Sequence, residues 1–390
     1  MIIVIADDLT GAAELAGLGR KYNLVTEITT SLTPSSAADL LIIATDTRSL
    51  SRAAAEAAIH EVCTGVQQLN PSLVFKKVDS VLRGHVLAEI AVQMQRLQQS
   101  QALIVPANPG LGRTIVNGIY LLHGHPIHTS SFSQDPEFPV SSSKVTDMLG
   151  AAVAVTTLHH QAALPATGVV VGEVAAHSDV AAWSKKADAN TLMAGAAEFF
   201  TALLAARNLK PVSTTTNAVA AQQPFLVIWG STFHKSRHLV RQMKAEGFPI
   251  SYMPAAPTGK AINDAPGYAQ WINDIINQLT THGEAGMAID PDSETELPDA
   301  LTVRTIMGQV AAAVVNRTPV RELLIEGGST AASVIQQMGI ETLYPEAELA
   351  PGVIRMRVKD KQDLTLIVKP GSYEWPASLL PHKRTEDTMT

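Results

Sequence analysis

The chain predicts an α/β protein of two α/β domains, each built on a mainly parallel sheet flanked by helices. Short β-branched runs alternate with helical stretches from the amino-terminus onward, the pattern of βαβ units. At 390 residues the chain is too long for one ordinary core. The stretch 208–224, NLKPVSTTTNAVAAQQP, has no periodicity and many small polar residues, and the strand and helix pattern restarts after it. The expected organisation is a first domain at 1–207, a linker at 208–224, a second domain at 225–380 and a loose tail at 381–390.

The opening run Ile2 to Ile5 is a short buried strand that meets Asp7, Asp8, Thr10 and Gly11 before an Ala-rich helix at 11–22, which Asp8 or Thr10 caps. Strands at Leu24 to Ile28 and Asp39 to Ala44 follow, the second ending in TDTRS. Ser51 starts a helix at 51–69, and a strand at Leu73 to Lys76 runs into KKVDSVLRGH. A helix at 85–99 then leads to a strand at Ala102 to Val105 and to PANPGLGRT. Between Gly118 and Pro139 the pattern breaks into loop and short strand, a stretch whose length is usually functional and suits a cover over a site. Strands at 153–157 and 167–171 and a helix at Gly195 to Arg207 close the first half. In the second half, strands at Phe225 to Trp229, Met287 to Asp290 and Glu322 to Ile325 alternate with helices at 235–246, 265–282 and 298–317. Val353 to Val358 and Leu364 to Lys369 form a hairpin expected to supply edge strands, ending in PGSYE.

Composition narrows the class. Hydrophobic residues make up 46% and charged residues 17%, enough apolar material for large buried sheets. A net charge of -7 argues against a broad nucleic-acid or anionic-membrane surface. The apolar opening ends at Asp7 without a basic lead and no run has membrane-spanning length, so a cytoplasmic location is expected, with neither nucleic acid nor membrane as partner. Cys63, the single cysteine, falls in a helical apolar pattern and reads as a packed thiol. The Ala- and Val-rich helix at 298–317 suits either core or a subunit contact, so a homo-oligomer stays open.

Three strand ends of the first half carry charge of both signs: Asp7 and Asp8, Asp46 and Arg48, and Lys76, Lys77, Asp79, Ser80 and Arg83. A parallel sheet gathers such ends along one edge, where ligands bind. Arginine forks hold a carboxylate, while Asp and Ser bond hydroxyls and Asp accepts a proton from one, so the set suits a small polyhydroxylated anion. The second half has Gly-Ser-Thr at 230–232, Gly327-Gly328-Ser329-Thr330 and Pro-Gly-Ser at 370–372. Gly-Gly-Ser-Thr between strand and helix exposes backbone N–H groups to a phosphate. No GxGxxG after a strand, GxxxxGK[ST], HExxH or GxSxG occurs. His123, His125 and His128 lack thiol or carboxylate companions at metal-ligand spacing and fit loop packing or substrate bonding better than zinc.

Taken together, ADDLTGA, TDTRS, KKVDSVLRGH, PANPGLGRT and DPEFP in the first half, with WGST, EGGSTA and KPGSYE in the second, resemble the four-carbon acid sugar kinase family. The resemblance spans nearly the whole chain. It implies ATP-dependent phosphorylation of a terminal hydroxyl on a sugar acid such as D-threonate, D-erythronate or 3-oxo-tetronate, in an active site set in the interdomain cleft. It maps substrate contacts to Asp8, Arg48, Lys77, Val78, Asp79 and Ser80, and ATP contacts to Ser231, Gly327 through Thr330 and Gly371. Arg83 joins the substrate group from the charge clustering, the acid's carboxylate is expected on Arg48 and the Lys77 region, and Mg²⁺ is expected to bridge the phosphates. Protein ligands to that metal stay unassigned. Asp8 is the first choice for general base and Asp79 the second. The KKVDSVLRG run looks closer to the threonate and erythronate members than to the oxo-tetronate members, and Trp229 stands where the family commonly has a small residue. The rival reading is a non-catalytic sugar-acid binding or sensor protein. It needs one anion site, whereas this chain offers one in each half. A phosphatase would want a DxDxT-like nucleophile, which ADDLTG lacks.

Overall fold

The computed structural model describes residues 1–31, 36–135, 137–150, 154–212, 220–231, 233–255, 266–293, 298–371 and 373–380. The central part of the expected linker, Val153 and the expected tail at 381–390 lie outside them. The chain divides into two compact units, Met1–Ser213 and Thr214–Thr390.

In the first unit β1 (Ile2–Ala6), α1 (Leu9–Lys21), β2 (Thr26–Thr29), β3 (Leu40–Ala44), α2 (Arg52–Gln68), β4 (Leu73–Lys77), α3 (Val86–Arg96) and β5 (Gln101–Val105) follow the expected alternation. The Asp8 carboxylate accepts from Gly11 N at 3.2 Å and caps α1, and Ser51 caps α2 by accepting from Ala54 N at 3.3 Å. β6 (Arg113–Val116), just ahead of the stretch from Gly118 to Pro139, pairs with β7 (Ile119–Leu122) and β8 (His125–Pro126) inside it in a separate three-stranded antiparallel sheet. Next come α4 (Val145–Leu149), β9 (Val155–Leu158), β10 (Gly168–Gly172), α5 (His177–Ser184), β11 (Thr191–Gly195) and α6 (Ala197–Ala206). The main sheet runs β2-β3-β1-β4-β11-β5-β10-β9 and every pairing in it is parallel.

This unit departs from the sequence reading in several places. Helices α4 and α5 and strand β11 are not among the expected elements. The helix expected to start at Gly195 starts at Ala197, because Gly195 ends β11, a wholly buried strand in the middle of the sheet. A Cβ at Gly195 would stand 2.3 Å from the Val105 carbonyl oxygen, so glycine is what lets β11 lie flush against β5. On one face of the sheet Ile3, Ile5, Leu41 and Ile43 pack against Ile59, Cys63 and Val66 of α2. Each such isoleucine removed from water contributes about 1.5–3 kcal/mol. The Cys63 thiol is fully buried there, and burial pushes its pKa up to about 12, which keeps it protonated and inert.

In the second unit β12 (Phe225–Trp229), α7 (His234–Ala245), β13 (Ile250–Tyr252), α8 (Pro266–His282), β14 (Glu284–Ala288), α9 (Ala300–Val315), β15 (Glu322–Glu326) and α10 (Gly328–Gln337) precede β16 (Thr342–Ala350), β17 (Val353–Val358) and β18 (Lys361–Lys369). The strand order is β13-β14-β12-β15-β18-β17-β16, parallel as far as β18 and antiparallel beyond it. The expected hairpin is present, but neither arm is an edge: β18 lies between β15 and β17, and β17 between β18 and β16. The near-continuous apolar run of β18 is that of a strand covered on both faces, with Leu364, Leu366, Ile367 and Val368 buried. Along α9, Val303, Ile306, Met307, Val310, Ala311 and Val314 are buried, so that face belongs to the core. Trp229 is 1% exposed and packs edge-on against Phe248 at 6.0 Å.

Candidate active site

Register aligns the first cluster. Ala6 stands level with Ala44 on one side and Lys77 on the other, so the segments after β1, β3 and β4 leave the sheet at one height. The chain leaves β1 toward β2, beyond β3, and leaves β4 toward β5, on the opposite side, which makes the β1/β4 boundary a topological switch point. Asp7 and Asp8 follow β1, Arg48 follows β3, and Val78, Asp79 and Ser80 follow β4. The structure therefore brings Asp7, Asp8, Arg48, Lys77, Val78, Asp79 and Ser80 together.

Arg48 organises the centre. Its Nε and Nη2 donate to Asp7 at 2.8 and 3.0 Å, Nη2 donates to Asp8 at 2.8 Å, and Nη1 stands 3.6 Å from Asp79. The guanidinium expected to take a substrate carboxylate is thus already forked onto Asp7. Arg83 holds Asp79 bidentately, through Nε at 2.8 Å and Nη2 at 2.7 Å, and reaches Asp135 with Nη1 at 2.6 Å. Asp7, Asp8, Lys77 and Asp79 are all buried. Burial alone would raise the Asp8 pKa, but Arg48 and Lys77 outweigh it and the hydroxyl of Thr10 adds to them, so the carboxyl lies below its usual range. Burial acts the same way on Asp79, and Arg83 with Arg48 overcomes it by a wider margin. Both carboxylates stay ionised at neutral pH.

Lys76 does not belong to this cluster. Adjacent residues on a strand face opposite ways, so while Lys77 donates to the Val78 carbonyl at 3.1 Å beside Asp8, Lys76 turns into the core and pairs with Glu89. The three-stranded sheet and the turns after it supply residues that the spacing did not single out. Arg113 Nη1 donates to Ser80 Oγ at 2.6 Å, Tyr120 donates its hydroxyl to the Ser80 carbonyl, and the Phe132 ring lies 5.6 Å from the Arg83 guanidinium and 5.4 Å from that of Arg113. Arg113 sits in PANPGLGRT and Asp135 in DPEFP, so the motifs marked the segments without marking the side chains.

The second unit repeats the alignment. Trp229, Glu326 and Lys369 stand level on β12, β15 and β18, and the turns Gly230-Ser231, Gly327-Gly328 and Pro370-Gly371 leave the sheet side by side. Thr232 and Ser372 of these turns lie outside the described residues. Gly327 has φ +95°, a conformation other residues rarely adopt, and no side chain caps α10, which leaves its first N–H groups to a ligand. A Cβ on Gly230 would stand 2.4 Å from Thr330 Oγ1, so glycine there lets the two turns close up. Trp229 turns away from these turns into the core, so its bulk takes no room at the strand ends. Lys369 is equally committed, to Glu326 at 3.2 Å and to the carbonyls of Pro370 and Tyr373 at 2.9 and 2.7 Å, and so fixes the turn that carries Gly371. Beside Gly371 and Glu326 opens a cavity of about 390 Å³ lined also by His234, His238, Tyr373 and Trp375.

Residues 2–236 match the sugar-binding N-terminal domain model and residues 226–373 the nucleotide-binding C-terminal domain model. Fold and site thus define a protein that joins a sugar-binding module to a nucleotide-binding module. The chain is 25% identical to the D-threonate kinase of Salmonella typhimurium over 95% of each chain, and 32% identical to the D-erythronate kinase of Heliobacterium modesticaldum over 45% of this chain and 40% of that one. A Salmonella typhimurium protein of known crystal structure shares the fold, with a TM-score of 0.73 at 17% identity across 96% of both chains. The chain belongs to the four-carbon acid sugar kinase family, a family of sugar-acid kinases. No described helix is long and apolar enough to cross a membrane.

Proposed function

We propose that the protein transfers the γ-phosphate of ATP to the terminal hydroxyl of D-threonate or D-erythronate, giving the 4-phosphate. The observation that carries the reading is that each unit gathers three strand ends of opposite chemical character. The first holds ionised carboxylates among cations, suited to a hydroxylated acid, and the second an uncapped helix start among glycines, suited to phosphates. On this reading Asp8, Arg48, Lys77, Val78, Asp79, Ser80 and Arg83 form the sugar-acid site. Ser231, Gly327, Gly328, Ser329, Thr330 and Gly371 form the nucleotide site, and the cavity beside Gly371 falls in the size range of small-molecule pockets.

Asp8 is the better of the two acceptors for the hydroxyl proton. Asp79 has both oxygens held by the Arg83 fork, whereas Asp8 keeps lone pairs beyond its bonds to Gly11, Thr10 and Arg48. A depressed pKa suits phosphoryl transfer, whose loose transition state asks more for positioning than for a strong base. Among the described residues no group of three metal-ligating side chains occurs, so Mg²⁺ would take most of its ligands from phosphates and water.

A coupled ADP-release assay of the purified protein with Mg²⁺, ATP and a panel of D- and L-threonate, D- and L-erythronate and their oxo forms tests the proposal. Turnover with D-threonate or D-erythronate is expected. Binding of an acid without ATP binding or turnover would replace it with the sensor reading.

A further inference from the structure

Among the described residues, the first-unit site contains one cation that its own carboxylates leave over. Arg48 is taken by Asp7 and Asp8, Arg83 by Asp79 and Asp135, and Lys77 has Glu14 at 3.7 Å, whereas Arg113 makes no ion pair among the described residues. Its guanidinium is held by a neutral hydroxyl, Ser80 Oγ at 2.6 Å, and by the face of Phe132. Its Nε is buried from solvent and has no hydrogen-bond partner among the described residues. A guanidinium is always charged, and burying one of its N–H groups unpaired carries a cost that an oxyanion arriving beside it removes. A fork already fixed by an aromatic face and a hydroxyl loses little freedom on binding such a group.

We propose that Arg113, with Ser80, is the specificity-determining residue that receives the substrate's carboxylate, Arg48 serving to hold Asp7 and Asp8 in place. The proposal rests on the sugar-acid reading of this site. It also explains why the three-stranded sheet packs where it does: β6 places Arg113, and Tyr120 of β7 pins the Ser80 backbone beneath it. A four-carbon polyol lacking the carboxylate would then reach the same hydroxyl contacts without engaging Arg113.

Titration calorimetry of the full chain with the sugar acid and with the neutral tetritol of the same configuration tests this. Arg113→Met removes charge and fork, while Arg113→Gln removes the charge and keeps a donor for Ser80. Both variants are expected to weaken acid binding about 10- to 100-fold, the range of a charge-assisted bond, and to change tetritol and ATP binding less than about twofold. If Arg113→Gln binds the acid within about threefold of the wild type, or if acid and tetritol weaken by the same factor, Arg113 is a structural support for Ser80 and the proposal fails. Because binding is read without turnover, this outcome is separate from that of the kinase assay.

Discussion

Replacing Arg48 with Met would expose how the first unit keeps three carboxylates beneath its surface. Asp7, Asp8 and Asp79 are 4%, 7% and 5% exposed, and Arg48 touches the first two directly and lies near the third. Removing one partner of a buried ion pair costs about 3–5 kcal/mol, because the other charge is left without compensation. In a unit of this size each kcal/mol lowers the midpoint by about 2–4 °C, so the first unit should lose about 6–20 °C. The loss should also depend on pH with a definite sign. In the variant, burial, the largest influence on Asp8, loses the Arg48 charge that opposes it and the Asp8 pKa rises, while in the unfolded chain an Asp keeps its ordinary value of 3.8. Between those values the folded variant binds more protons than the unfolded chain, so its deficit shrinks as pH falls from 7.5 to 5. Thermal unfolding followed by circular dichroism at both pH values measures this. A drop under about 2 °C at pH 7.5, or the same drop at both, would refute the account.

The remaining predictions concern base, phosphate cradle and core. Asp8→Asn should lower kcat by about 10²–10⁴ with the ATP KM unchanged; because Arg48 and Lys77 override burial and hold the Asp8 pKa down, the wild-type kcat/KM should show no acid limb between pH 5 and 8, and an Asp8-dependent limb near pH 6–7 in rate profiles would contradict this. The same depressed pKa means that the stability Asp8 contributes is present above pH 3.8 and is lost only as pH falls through its lower folded value. Gly327→Ala forces φ +95° on an alanine at a cost of about 1–3 kcal/mol, and should raise the KM for ATP while leaving that for the acid unchanged in steady-state kinetics. Lys76→Met should cost about 3–5 kcal/mol in urea unfolding by stranding Glu89, and the added change Glu89→Leu should recover most of it; a double variant no more stable than the single one would show that packing rather than charge dominates there.

Where the candidate site lies at strand ends, the amino-acid sequence made it legible, because a parallel sheet converts separate motifs into one edge. Asp8, Arg48 and Asp79 are 31 to 71 residues apart in sequence, and register alone joins them. Lys76 went astray by one residue of strand alternation, a pattern that an apolar run too short to show two faces hides. Strand β11 was overlooked because TLMAG merges into the alanine-rich start of α6, and short apolar runs carry no period that separates strand from helix. Arg113 was out of reach for another reason. The role proposed for it rests on a deficit, the lack of a carboxylate partner among the described residues, and only the packed loop reveals which charges are already matched.

Strand β11 also sets the order in which the unit can be completed. Strands β4 and β5 flank it, yet it is translated some 85 residues after β5 ends, so a chain ending at residue 190 lacks the strand that fills the slot between them. Until the slot fills, facing ladders of N–H and C=O groups stand open to any passing extended segment. The last rung joins the amide of Val78 to the carbonyl of Gly195 at 3.1 Å, which ties the segment carrying Asp79 and Ser80 to a residue near the end of the unit. A ribosome-bound fragment ending short of residue 191 should therefore draw chaperones and fail to bind the acid, and competence should arrive abruptly once β11 has cleared the exit tunnel.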